Sequence, residues 1–217
     1  MSTFQIDPRR ARPWPGIRWD HGITWVSRRT VEPTTLPVDV SYVQDRVLRL
    51  ADPDAEYDYV ESLIRASTQA AEDRTQRALT PQTWQMVLSG FPCSGRIVLE
   101  RPPLVSVTSV AYYDRAGEAQ ELAVSPAEFQ TVPSGAYSKA EIRPLEGETW
   151  PSTATRPDAV TVTYRCGYEE PTAEYELIKV GIGLMVGELY KQRTLSVHAV
   201  HNTPSVLQLE RFWRPVL

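Results

Sequence analysis

Residues 52–88 read DPDAEYDYVESLIRASTQAAEDRTQRALTPQTWQMVL. Asp52-Pro53 is a helix start, since the carboxylate caps free N–H groups and proline suits the first helical position. Tyr57, Val60, Ile64, Ser67, Ala71, Thr75 and Ala78 recur three or four residues apart, so they share one helical face. That face is large in its first half and small in its second. The other face carries Glu56, Glu61, Arg65, Glu72 and Arg74 and is expected to be wet. Thr80-Pro81 must stop the helix, because a proline disfavours helix in the residue before it. Gln82–Leu88 then alternates with period two and reads as a strand.

A partner helix is expected over residues 172–193. Glu174 and Glu176 lie in its first turn and Lys191 and Arg193 in its last, which suits the helix dipole. Leu177–Tyr190 is apolar nearly all round and includes Gly181, Gly183 and Gly187. Each glycine costs roughly 1 kcal/mol of helix propensity relative to alanine, so close packing must offset it. The expected contact sets Gly183 and Gly187 against Ala71 and Ala78. A membrane span is rejected: the run falls short of ~20 apolar residues and holds Lys179 and Glu188.

The chain has 217 residues, 41% hydrophobic and 23% charged, with a net charge of −4. That balance gives no global attraction to nucleic acid. Eighteen prolines favour turns and extended arms over a helical bundle. Cys93 and Cys166 are isolated, without metal spacing or a disulfide framework, so a reducing compartment is expected. The first residues lack the apolar run of a signal peptide.

Three segments follow. Residues 1–36 read as an extended N-terminal arm, with Trp14, Trp19 and Trp25 as contact candidates. Six arginines against three acids make the arm net +3, leaving −7 for the rest of a chain whose total is −4. Tryptophan and arginine anchor interfaces, so the arm is expected to order against another surface, with packing on its own domain as the alternative. Residues 37–193 form the body, with helices at 39–51, 53–79 and 172–193 and a β insert at 82–165. In the short first helix, Val40, Val43, Val47 and Leu50 make one apolar stripe. In the insert, Arg96–Leu99 is expected to return on the first strand as a hairpin, Leu104–Asp114 to be central, and Arg115-Ala116-Gly117 to turn the chain. Short strands at this rhythm suggest a small sandwich or barrel. The expected fold class is therefore α+β: an antiparallel helix pair plus a short N-terminal helix, a small β insert between the long helices, and extended arms at both ends. Residues 194–217 are read as a docking tail, with Phe212 and Trp213 as anchors flanked by Arg211, Arg214 and Leu217.

No chemistry-bearing constellation emerges. His198 and His201 are spaced H-x-x-H without an acid or cysteine to complete a metal set, and His21 is remote. No nucleophile elbow, phosphate-cradling loop or H-E-x-x-H is present. No enzyme, cofactor or metal is expected.

Glu72-Asp73-Arg74-Thr75-Gln76-Arg77-Ala78-Leu79-Thr80-Pro81-Gln82-Thr83-Trp84 resembles the helix-to-strand junction of head–tail connector (adaptor) proteins of long-tailed phages and gene transfer agents. Phe91-Pro92, Ile97–Leu104, Tyr112-Tyr113-Asp114, Trp150-Pro151, Ala159–Tyr164, Gly167-Tyr168 and Leu189-Tyr190 extend the likeness over about residues 38–193. The family's usual Thr-Gly-Arg is Thr75-Gln76-Arg77 here, which is expected to leave the helix better formed. The N-terminal arm lies outside the likeness. The resemblance implies a structural protein of the virion neck, assembled in the bacterial cytoplasm. It implies a ring, commonly dodecameric, beneath the portal, joined to stopper or tail-terminator proteins, through which DNA passes without specific binding. No membrane is involved. A soluble β-rich module that binds a peptide or glycan is the alternative, and would carry an aromatic-lined pocket within one chain.

Overall fold

The computed structural model describes residues 23–52, 54–125, 129–132, 139–169 and 173–192. The order begins with β1 (Trp25–Val31) and α1 (Val40–Tyr42), which passes into a π-helical turn, Val43–Leu48. A 3-10 turn at Asp54–Glu56 leads into α2 (Tyr57–Thr75). Then come β2 (Gln82–Leu88), β3 (Ile97–Val98), β4 (Leu104–Tyr113), β5 (Ala119–Leu122), β6 (Phe129–Val132), β7 (Glu141–Pro144), β8 (Val160–Cys166) and α3 (Ala173–Gln192).

All strand pairs are antiparallel. One sheet runs β1-β2-β8-β4-β5 and the other β3-β7-β6. This corrects the expected fold class. Two antiparallel sheets dominate the molecule, which is not a long helix pair carrying a small β insert. The strand missing from that reading is β1, placed in the arm but hydrogen-bonded along β2 from Trp25↔Leu88 to Val31↔Thr83. The Arg96–Leu99 hairpin is corrected too. Ile97 pairs with Ile142 of β7, because β2 has its two edges filled by β1 and β8.

The sheets share one core. Alternate residues of β8 (Val160, Val162, Tyr164, Cys166) turn inward and meet Met86, Leu88, Val110, Ile97, Phe129 and Ile142. A second core joins the helices, where Val60, Leu63 and Ile64 of α2 meet Ile178, Ile182, Met185 and Leu189 of α3 and Val43 of the π-helical turn.

Helix α2 ends at Thr75, four residues before the expected stop. Gln76 adopts a left-handed conformation, φ 56°, and its Nε2 donates to the Asp73 carbonyl at 2.7 Å. Glycine enters that region at no steric cost. The backbone thus makes the turn that a glycine would make, and the glutamine ends the helix instead of extending it.

Gly167 follows β8 at φ +117°, and a Cβ there would lie 2.2 Å from the Thr80 carbonyl oxygen. Gly117, in the β4–β5 turn at φ +84°, has nothing within 4 Å of its would-be Cβ. Gly167→Ala is expected to lose well over ~2 kcal/mol of unfolding free energy and Gly117→Ala only ~1–2 kcal/mol, the cost of left-handed backbone alone. Urea titration of the two variants checks the difference.

Candidate functional site

Glu72 lies on the last turn of α2 and is only 3% exposed, so the expectation that it faces water is corrected. Its Oε1 accepts from the Leu79 amide at 2.8 Å and from Gln82 Nε2 at 2.7 Å. Its Oε2 accepts from Arg29 Nη1 of β1 at 3.3 Å. That same Arg29 nitrogen donates to Gln82 Oε1 at 3.1 Å, which also accepts from Trp84 Nε1 at 3.1 Å. Arg101 closes the cluster, donating to the Glu72 carbonyl at 2.7 Å and to Asp73 Oδ1 at 3.2 Å, with its guanidinium 5.1 Å from the Trp84 ring centroid. A buried carboxylate must be paired and hydrogen-bonded, and here the Leu79 amide, Gln82 and Arg29 do it. Burial is the largest influence on Glu72 and raises its pKa, opposed by the Leu79 and Gln82 hydrogen bonds and then by the charges of Arg29 and Arg101.

Outside this junction two surface features stand out. The first is on α3. Leu177, Val180 and Leu184 are 62%, 55% and 54% exposed, while Ile178, Ile182, Met185 and Leu189 are fully buried. Spacings of three and four put the exposed residues on one stripe, so α3 is apolar toward its core and apolar toward water.

The second is an open cleft of about 670 Å³, lined by the 91–96 turn, Arg115, Arg143-Pro144 and residues 148–153. Phe91 and Trp150 stack beside it, with centroids 4.8 Å apart and planes 8° from parallel. Trp150 is fixed by its Nε1 donating to the Gly95 carbonyl at 3.0 Å. Glu141 accepts from Arg143 and lies 3.6 Å from Arg96, so two guanidiniums share one carboxylate. Cys93 on the rim is exposed, whereas Cys166 is buried in the core with its thiol pushed up to about 12 by burial.

The site residues read from sequence are scattered. Ala71 is buried in the helical core, while Ala78 lies beyond α2 in the sheet core and donates its amide to Pro102 at 3.1 Å. Added Cβ atoms at Gly183 and Gly187 would meet Val47 at 3.4 and 3.3 Å, so these glycines admit the π-helical turn. Trp25 opens β1 and is 36% exposed. Trp14, Trp19, Arg211, Phe212, Trp213, Arg214 and Leu217 lie outside the described residues, as do the three histidines. Among the described residues no group of three His, Cys, Asp or Glu could hold a metal ion, and no helix is long and apolar enough to cross a membrane. Sequence reading missed the α3 stripe because the helix is apolar nearly all round. It missed the cleft because Phe91, Arg115 and Trp150 meet only in space.

No protein-family model and no curated protein matches this chain. Solved structures do. A chain in the neck of an empty gene transfer agent particle, computed with C6 symmetry, superposes with a TM-score of 0.67 at 21% identity, covering 88% of this chain and 96% of that one. The chain has the fold of a particle-neck protein. A chain in the virion of a native gene transfer agent particle gives 0.67 at 22% identity, with the same coverage. A chain in the native neck computed with C12 symmetry gives 0.55 at 23%, covering 87% and 96%.

Removing the buried carboxylate leaves the Leu79 amide and Gln82 Nε2 without their acceptor, while Arg29 keeps Gln82, Gln69 and Glu32. Glu72→Ala is expected to cost about 1–3 kcal/mol in denaturant unfolding, the penalty of unsatisfied buried donors. Because the folded state raises the pKa of Glu72, it holds that proton more tightly than the unfolded chain does. The group's contribution therefore falls as pH rises upward from the ordinary value of 4.5. Stability of Glu72→Gln relative to the parent should increase between pH 4 and 7, and an unchanged difference would contradict the assignment.

Proposed function

We propose that the chain is a structural component of the neck of a phage-like particle, assembled as a closed ring. The observation that carries this is the likeness in fold to chains of gene transfer agent particles, two of them from necks, over 87–88% of this chain and 96% of each of those. Closed rotational symmetry makes each contact heterologous, one face of a copy meeting a different face of the next. The α3 stripe supplies one such face, since each of its large side chains gains ~1.5–3 kcal/mol when fully covered. Nothing in this role needs a catalytic centre.

The finer role is that of the connector, or adaptor. The ring sits beneath the portal, extends the DNA channel, and presents a platform to stopper or tail-terminator proteins. A body of net negative charge repels phosphate, so DNA slides without being gripped. The tail at 194–217 docks on the portal through Phe212 and Trp213, with Arg211, Arg214 and Leu217 around them. The arm bearing Trp14 and Trp19 lies along a neighbouring component. The Phe91–Trp150 cleft is what a peptide- or glycan-binding module would carry, and it is the one observation that favours that second reading.

Leu184→Glu should leave the fold intact, since Leu184 is already exposed, yet yield monomers by sedimentation where the parent forms rings. Rings from the variant would contradict the role given to α3. Deleting residues 205–217 should give a folded protein that no longer copurifies with the portal; retained copurification would refute the docking tail.

A further inference from the structure

The α3 stripe provides one face of a heterologous contact and leaves open which charged surfaces set its register. Between Leu50 and Val60 the chain carries Asp52, Asp54, Glu56 and Asp58 and no cation. Asp52, Asp54 and Asp58 are exposed on the corner that leads into α2, and Tyr57 beside them is 46% exposed. This corner belongs to the helical end of the molecule, with Val60 already in the helical core. The Phe91–Trp150 cleft belongs to the sheet end, next to the turns that close the shared sheet core.

The two surfaces complement each other in both components. The cleft offers Arg96 and Arg115 against Glu148, while Arg143 holds its fork on Glu141 behind the lining. Arg115 stands exposed at the β4–β5 turn, and Arg96 and Arg143 keep 52% and 44% of their side-chain surfaces open. The guanidinium fork matches a carboxylate in two parallel hydrogen bonds, and a flat aromatic wall suits a tyrosine ring. The corner supplies carboxylates and a tyrosine; the cleft supplies guanidiniums and the Phe91–Trp150 stack. A surface patch and its complement on different parts of one chain, one beside the helical core and one beside the sheet core, are what a head-to-tail ring requires.

We propose that the cleft receives the Asp54–Asp58 corner of the next copy, with Arg115 and Arg96 binding Asp54 and Asp58 and Tyr57 lying against the aromatic stack. This rests on the ring reading above and names its register. Arg and Tyr are the residues in which interface energy concentrates. The charge pairs on the rim set orientation and make assembly salt-sensitive.

Cys93 on the cleft rim makes the contact testable in the full-length chain, because Cys166 is buried and does not compete. Ala55 is exposed within the corner, so Ala55→Cys adds a thiol there without removing a charge. A short bis-maleimide added to assembled Ala55→Cys protein is expected to give a ladder of covalent dimers and higher oligomers on a denaturing gel. The ladder should vanish in the Cys93→Ser background. It should fall at least tenfold with Arg115→Glu plus Arg96→Glu, and return when Asp54→Arg and Asp58→Arg are added. Sedimentation of the same samples separates the two ideas. Rings that form without the ladder overturn the cleft contact and leave the ring standing. A chain that stays monomeric overturns the ring reading and this contact together.

Discussion

A carboxylate taken out of water must be answered by donors, and Glu72 imposes that demand at the point where the helices meet the sheets. The Leu79 amide answers from the turn after α2, Gln82 from β2, Arg29 from β1, and Arg101 braces the backbone from the β3–β4 loop. Each of these groups lies in a different stretch of chain. Satisfying one charge therefore fixes the angle at which α2 enters the sheet and holds the edge strand β1 in register. The helical core and the sheet core are separate clusters of apolar side chains. The polar junction is what joins them rigidly, and a rigid joint is what a part of an assembly needs.

This junction explains what could and could not be read from the residues. The stretch Glu72–Trp84, which carries the likeness to connector proteins, contains the carboxylate, its Gln82 and Leu79 partners and the Trp84 that Arg101 covers. The likeness lies in the residues that build the joint. The apolar periodicity of α2, the alternation of β2 and the central strand β4 are legible because each depends on local spacing. β1 is not. Its inward Arg29 looks like a surface charge until its partner, 43 residues away in sequence, is in place. Glu72 looked wet for the same reason. Without that pair the residues of β1 carry no signal of an edge strand, and the sequence overstates the helices' share of the fold.

The glycines of α3 carry a related lesson. Small residues on two helices suggested that the helices clasp through them, yet Gly183 and Gly187 open toward Val47 of the π-helical turn. Sequence shows that a backbone must be approached closely and is silent about which neighbour approaches. The surfaces on which the proposed contacts rest, the exposed stripe of α3 and the Arg-rimmed aromatic cleft, exist only once distant segments are folded together.

The proposed ring would place the apolar stripe of α3 between copies and keep the Glu72 joint buried within each. Electron microscopy of the assembled neck at side-chain resolution tests this most directly. The account predicts a closed ring in which Leu177, Val180 and Leu184 of every copy are covered by the adjacent copy. A neck without this chain, or one in which that stripe faces open solvent in every copy, would contradict it.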